Sequence, residues 1–292
     1  MMTMEYDWPV FRPPSEADSL IIQATLGCSA NTCKFCYMYK TKKFRIRPTR
    51  QVLSDLEWCG KHERGANRIF LADGDALAVP TEDLLKILRT GYGLFPRLDR
   101  VTSYANPGNL LEKSEDELRE IRKAGLTMIY YGVESGDEDL LKRIKKQATT
   151  REMIQGCAKA HRAGLDISVT VLLGLAGKAG SERHAKQTAE VLNQISPLYI
   201  SALTLMLGPF AKNYERAMGV DFEFLDKMDF LKELKWMIAG LKVKHSIFRS
   251  NHASNYLPLK GDLPQDQPGL LETIEYGLNH PEILKPEEFR AL

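Results

Sequence analysis

Three of the five cysteines in this 292-residue chain, Cys28, Cys33 and Cys36, fall within nine positions, in the string TLGCSANTCKFCYMYK (25–40). Thiolates are the ligands of zinc and of iron–sulfur clusters, and three of them leave one position of a four-ligand site open. Zinc sites use four protein ligands, usually as two closely spaced pairs, and no second pair exists here. Cys59 and Cys157 each fall on the apolar face of a predicted helix, where a small buried residue is expected. A zinc site would therefore need a distant His. An iron–sulfur cluster held by three thiolates fits the spacing better, because an iron without a protein ligand can bind a small molecule. Gly27 allows a tight turn and Asn31 tolerates unusual backbone angles, as a loop wrapping a cluster requires.

Such a loop works only when rigid elements hold it. The chain alternates short β-rich runs with amphipathic stretches at i, i+3, i+4 spacing. LIIQATL (20–26) precedes a predicted helix near 50–64, with Val52, Leu53, Leu56 and Cys59 on one face. RIFLA (68–72) leads to a helix opening at Thr81, with Glu82 and Asp83 in its first turn. RVTSY (100–104) leads to a helix whose Ser114-x-x-Glu117 start is a capping-box pattern and whose end is Gly125. TMIYYGV (127–133) precedes a short helix near 137–147 and a longer one from Thr150 to Gly164. DISVTVLLG (166–174) leads to a helix capped by Ser181, and LYISALTLM (198–206) to one near 228–242. Six β–α units in series imply a parallel sheet with right-handed crossovers, either an open sheet or an incomplete barrel. The remaining residues, including IFRSNHASNYLPLKG, read as a polar loop followed by a helix near 267–279.

The cysteine string resembles that of the radical S-adenosylmethionine (SAM) enzymes, whose usual motif is C-x3-C-x-aromatic-C on the loop after the first strand. Cys33-Lys34-Phe35-Cys36 matches the second half, Phe35 supplying the aromatic, while the first gap is x4. The resemblance covers roughly residues 20–205. It implies an α/β fold, a partial (β/α)6 TIM-like barrel with a C-terminal loop-and-helix extension. The corresponding domains are a leader (1–19), the core (20–245) and an extension (246–292) closing the barrel or the substrate side. It also implies a [4Fe–4S] cluster on Cys28, Cys33 and Cys36, with SAM on the fourth iron and cleavage of SAM to a 5′-deoxyadenosyl radical that abstracts hydrogen from a substrate.

Function in parallel β/α folds collects at the carboxyl ends of strands. Asp73-Gly74-Asp75 resembles the family's Gly-Gly-Glu, with Asp75 offering a carboxylate to the amino group of SAM, though an Asp-Gly pair is also an ordinary turn. Asn106 stands where it can meet SAM or substrate, or simply start a turn. Glu134 matches the position of a ribose-contacting residue, with a solvated loop acid as the alternative. Ser168 and Thr170 lie on the strand similar to the one flanking adenine.

Two further stretches bear on the substrate. Lys40, Lys42, Lys43, Arg45, Arg47 and Arg50, near Tyr37, Tyr39 and Phe44, form either a basic lip or a solvated loop with one anchoring Arg. Arg249, Asn251, His252, Asn255 and Tyr256 face the substrate or cap loop backbone. Forty basic against 38 acidic residues, a net charge of +2, gives no argument for nucleic acid. No second cysteine cluster offers an auxiliary centre, and fewer than twenty residues precede the first strand, so no cobalamin domain is expected ahead of it. The N-terminal MMTMEYDWPVFRPPSE lacks the apolar core of an export signal, and no run approaches roughly eighteen apolar residues, so a cytoplasmic chain without membrane spans is expected. In that compartment clustered cysteines bind metal or act in redox chemistry. A small-molecule substrate and an external low-potential electron donor complete the expected partners. A non-catalytic cofactor carrier on the same fold is the alternative.

Overall fold

The computed structural model describes residues 4–291. The chain forms two compact units: Met1–Asn31 with Met38–Tyr131 and Gln155–Ile167, and Thr32–Tyr37 with Gly132–Ile154 and Ser168–Leu292.

In the first unit, strand β1 (Leu20–Gln23) is followed by the short antiparallel pair β2 (Thr25–Leu26) and β3 (Arg45–Ile46), which closes the base of the cysteine loop. Helix α1 (Thr49–His62) buries Val52, Leu56 and Cys59 on one face, as the sequence spacing predicts. Then come β4 (Arg68–Ala72), α2 (Thr81–Leu94) and β5 (Arg100–Ala105). After α3 (Pro107–Glu112), α4 (Glu115–Lys123) starts on a complete capping box. Glu117 N–H donates to Ser114 Oγ at 3.1 Å and Ser114 N–H to Glu117 Oε2 at 2.8 Å. Strand β6 (Leu126–Glu134) follows Gly125, whose φ of 113° favours glycine. The parallel order is β1-β4-β5-β6, with Ile69 beside both Leu20 and Val101.

The second unit takes the end of β6, α5 (Glu138–Arg143), the start of α6 (Thr150–Arg162), β7 (Asp166–Leu173) from Ser168 onward, α7 (Gly177–Ile195) and β8 (Tyr199–Thr204). It continues with α8 (Ala211–Met218), α9 (Lys227–Gly240), β9 (Ser246–Arg249), β10 (Lys260–Leu263) and α10 (Gln267–Asn279). Its order is β7-β8-β9-β10, with only β10 antiparallel. One face of these strands is fully buried through Val169, Val171, Ile200, Ala202 and Phe248. The other is half-open and carries Thr170, Leu172, Tyr199, Ser201, Leu203, Ile247 and Arg249. Among the described residues no helix is long and apolar enough to cross a membrane.

Two expectations are corrected. The stretch read as a polar loop contains β9 and β10, and β9 continues the sheet beside β8. Ser181 does not cap α7, which begins at Gly177. Its hydroxyl donates instead to the buried Glu233 carboxylate of α9, which also accepts the Gly174 N–H at 2.6 Å. His184 Nε2 stands 3.6 Å from the same carboxylate.

His252, between β9 and β10, accepts the Ser254 N–H at Nδ1 (3.1 Å). Burial first, and then the nearby Lys285 ammonium, push its pKa below the ordinary 6.5. A depressed folded pKa means stability that is complete above about pH 6.5 and lost as pH falls through the folded value. His252→Asn, whose side-chain oxygen can accept the same N–H, is expected to flatten the loss of urea stability between about pH 7.5 and about pH 5.5. Parallel wild-type and variant slopes would remove His252 as the cause.

Candidate functional site

The cysteine loop begins at Gly27, whose φ of 71° permits the turn away from β2. Its N–H donates to Asp73 Oδ2 at 2.9 Å. The same fully buried carboxylate accepts Gln23 Nε2 at 2.9 Å and pairs with Lys42 Nζ at 2.9 Å. Asp73 N–H in turn donates to Thr25 O, and Gly74 N–H to Gly27 O at 3.0 Å. Both ends of the loop are thus tied to the end of β4, and the Asp73 carboxylate is committed to the tie. Of the basic stretch, Lys42 and Arg47 act as anchors, Arg47 by donating to Gln23 O at 2.8 Å and to Asp55 at 2.6 Å. Lys40, Lys43, Arg45 and Arg50 are exposed.

Gly74 is where β4's exit meets the loop. A Cβ there would lie 2.7 Å from the Tyr39 ring and 3.0 Å from Cys28 Cβ. Gly74→Ala is expected to cost about 1–3 kcal/mol by overpacking and to lower the iron taken up per chain. Urea unfolding of the apo protein and iron analysis check this, and an unchanged variant would show that the approach is not required.

Asp75 is fully buried beside Cys28 and Ser29. Ser29 Oγ donates to it. So does Asn109 Nδ2 (3.1 Å to Oδ2) in the amide orientation that faces the carboxylate. Burial holds the Asp75 pKa above the usual carboxylate range. Ser29, Asn106 and Asn109 oppose that rise, and the Glu112 charge adds to it. Asn106 also reaches Ser29 Oγ at 3.3 Å and Cys28 Sγ at 3.6 Å. The first unit therefore gathers a thiol, a buried carboxylate and two amides at the ends of β4 and β5. Ser29 and Asn109, not singled out in the sequence, complete this group. Ser29 follows the first cysteine, and Asn109 sits three residues after Asn106, one turn along α3.

The rest of the loop belongs to the second unit. Cys33 is buried, and Phe35 and Cys36 are half-exposed. Thr32 Oγ1 donates to Lys145 O at 3.1 Å and Lys34 N–H to Ile144 O at 2.8 Å. Tyr37 stacks on Phe210 with ring centroids 5.7 Å apart. In the first unit Asn31 Nδ2 donates to Tyr39 O at 2.6 Å. The residues that lengthen the first cysteine gap thus spend their polar groups on main chain at either end. Among the described residues no three His, Cys, Asp or Glu side chains converge as they would around one metal ion.

Glu134 closes β6 with φ 64° and folds back over Gly132, where a Cβ would meet its Oε1 at 2.0 Å. Lys146 Nζ lies 3.6 Å away, both side chains being nearly buried. Burial raises the Glu134 pKa and Lys146 opposes it. Lys146 carries no sequence signal, since it is one of four cations between 142 and 146. Ser168 and Thr170 lie two apart on β7, hence on one face.

Of the later residues, Asn255 is buried and structural. It accepts the Thr204 N–H at 2.7 Å and donates to Ala202 O and Ser250 Oγ. Tyr256 donates to Glu287 at 2.6 Å and carries the Arg290 guanidinium 4.1 Å over its ring. Burial pushes its pKa up to about 12. His252 holds its own turn, Asn251 is exposed, and Arg249 lies on the half-open face.

Residues 22–187 match the family model described as the radical SAM superfamily. Over 142 residues the chain is 20% identical to the heme chaperone HemW of Bacillus subtilis (strain 168), covering 48% of this chain and 37% of that protein. Over 250 residues it is 22% identical to 4′-phospho-dehydrooxetanocin synthase of Priestia megaterium, covering 77% of this chain and 33% of that protein. It thus spans about a third of the length of these curated relatives. Coproporphyrinogen III oxidase (HemN) from Escherichia coli, a radical SAM enzyme, shares the fold with a TM-score of 0.57 at 15% identity, over 76% of this chain and 51% of that one.

Proposed function

The chain belongs to the radical SAM superfamily, and on that premise we propose that it is an enzyme that cleaves SAM reductively and uses the resulting radical on a small-molecule substrate. The observation that carries this reading is the group formed by Cys28, Gly74, Asp75 and Asn106 at adjoining strand ends. Cys28, Cys33 and Cys36 would hold a [4Fe–4S] cluster, and their donor set fits, being three thiols on one anchored loop that passes against a glycine able to take no side chain. Bound together, cluster and SAM supply a one-electron reduction of the sulfonium that releases methionine and a 5′-deoxyadenosyl radical.

The chain's own residues bind and orient. Asp75 offers an acceptor to the ammonium of SAM, and its burial strengthens a charge-assisted bond while excluding water. Asn106 presents its amide to the first thiol and to Ser29, fixing the loop beside that carboxylate. Phe35 would cover the cluster side of the loop. Glu134, steadied by Lys146, would accept from the ribose, and Ser168 and Thr170 would border adenine. An external low-potential donor supplies the electron, and the loaded protein should be oxygen-sensitive and work in the cytoplasm.

The test is anaerobic reconstitution with iron and sulfide, followed by dithionite and SAM. Formation of 5′-deoxyadenosine above a cluster-free control supports the proposal. SAM binding without cleavage, joined to stoichiometric haem uptake, would sink it in favour of a cofactor carrier.

A further inference from the structure

The half-open face of the second unit carries a row of polar side chains, of which the cofactor reading uses only Thr170. In register across the strands stand Thr170 of β7, Ser201 of β8, Arg249 of β9 and Lys260 of β10. Residues in register share a face, and neighbouring strands are about 4.8 Å apart. The four side chains therefore form a continuous band across β7, β8, β9 and β10. Leu172 and Leu203 flank it on one side, and Tyr199, Ile247 and, on β10, the exposed Asp262 on the other.

The band has a charge problem. Arg249 and Lys260 are directly opposite in an antiparallel pair, where like charges repel across about 5 Å. Among the described residues neither forms an ion pair with an Asp or Glu. Arg249 Nη1 donates only to the neighbouring Phe248 O, at 2.8 Å. A half-buried guanidinium presents five donors, so most remain to be used. The hydroxyls of Thr170 and Ser201 have no partner within the protein among the described residues. Asp262, the carboxylate on the same face, pairs with neither cation among the described residues, and the acceptor that suits two cations beside the Ser201 hydroxyl carries negative charge.

We propose that this band is the substrate's anchoring site and that it takes an anionic group, a phosphoryl or a carboxylate, on Arg249 and Lys260, with Ser201 as an added donor. The proposal rests on the reading of this face as the substrate side of a radical SAM fold. A fork-shaped guanidinium grips two oxygens of either group, and a second cation favours the doubly charged phosphoryl form.

The test uses the full chain with its cluster reconstituted and, as probes, inorganic phosphate and acetate titrated calorimetrically at fixed ionic strength. Saturable binding of one probe is expected, phosphate assigning a phosphoryl group and acetate a carboxylate. Arg249→Gln should weaken it about tenfold, the loss of one charge-assisted contact, and Lys260→Gln severalfold. Lys260 is exposed, so its replacement keeps the fold. Arg249→Lys should recover part of the affinity, and Lys244→Gln, an exposed lysine outside the band, should have no effect. Failure of both probes to bind, or equal weakening by Lys244→Gln, would overturn the proposal. So would a tenfold loss of SAM affinity in Arg249→Gln, which would give the guanidinium to SAM's own carboxylate. Because anion binding is read without turnover, a wild-type protein that binds phosphate through Arg249 but makes no 5′-deoxyadenosine refutes the enzyme reading and leaves the anion site standing.

Discussion

Replacing Cys28, Cys33 or Cys36 singly by Ala is expected to bring SAM cleavage down to the cluster-free background and to strip most of the reconstituted iron. The same change at Cys59 or Cys157 is expected to keep both, at a stability cost of about 1 kcal/mol for a small core truncation. The contrast follows from thiol chemistry. A ligand must be a thiolate, and burial pushes the Cys59 and Cys157 thiols up to about 12, so both stay protonated. They are packing residues on α1 and α6, and Cys157 lies beside Tyr131. The loop thiols lie on a turn whose neighbours are amides, hydroxyls and main chain. Iron analysis, visible absorbance and 5′-deoxyadenosine yield measure all five variants side by side. Iron retained in the loop variants, or lost with Cys157→Ala, would reverse the assignment.

Lys42→Met is expected to destabilise the apo protein by about 3 kcal/mol, because it leaves the Asp73 carboxylate charged and buried without its cation. The Lys42 side chain is itself only 5% exposed, so solvent screens the pair poorly. Asp73 still accepts from Gly27 N–H and Gln23 Nε2, and those bonds moderate the loss without cancelling the charge. Adding Asp73→Asn in the double variant removes the buried charge and should recover part of the stability. Urea unfolding of the four members of the cycle gives the coupling. A single-variant cost below about 1 kcal/mol, the range of exposed pairs, would mean that the tie is a surface contact.

The family was legible in the sequence because its signal is local: three thiols and an aromatic within nine residues. The strands from 68 to 204 were legible too, since continuous apolar runs and capping residues such as Ser114 act over a few positions. What escaped reading depends on distant partners. Asp73 belongs to the string that resembles the family's Gly-Gly-Glu, and its carboxylate is occupied by residues 31, 46 and 50 positions away. Ser181 has the chemistry of a cap but spends its hydroxyl on Glu233, which lies 52 residues on. Strands β9 and β10 have four residues each, too short for alternation to stand out, and their outward positions are the polar Arg249, Lys260 and Asp262. Lys146 pairs with Glu134 only because the chain turns back after α5.

The tie at Asp73 also sets how the loop can move. Residues 28–41 are enclosed between Gly27 and Lys42, both held by one buried carboxylate, so fraying from either end is blocked. Backbone exchange with deuterium should then be slow at the Gly27 amide, requiring disruption of the surrounding unit, while amides nearer the tip exchange through small local openings. The loop behaves as a cup with a fixed rim, whose attachment to the end of β4 does not drift.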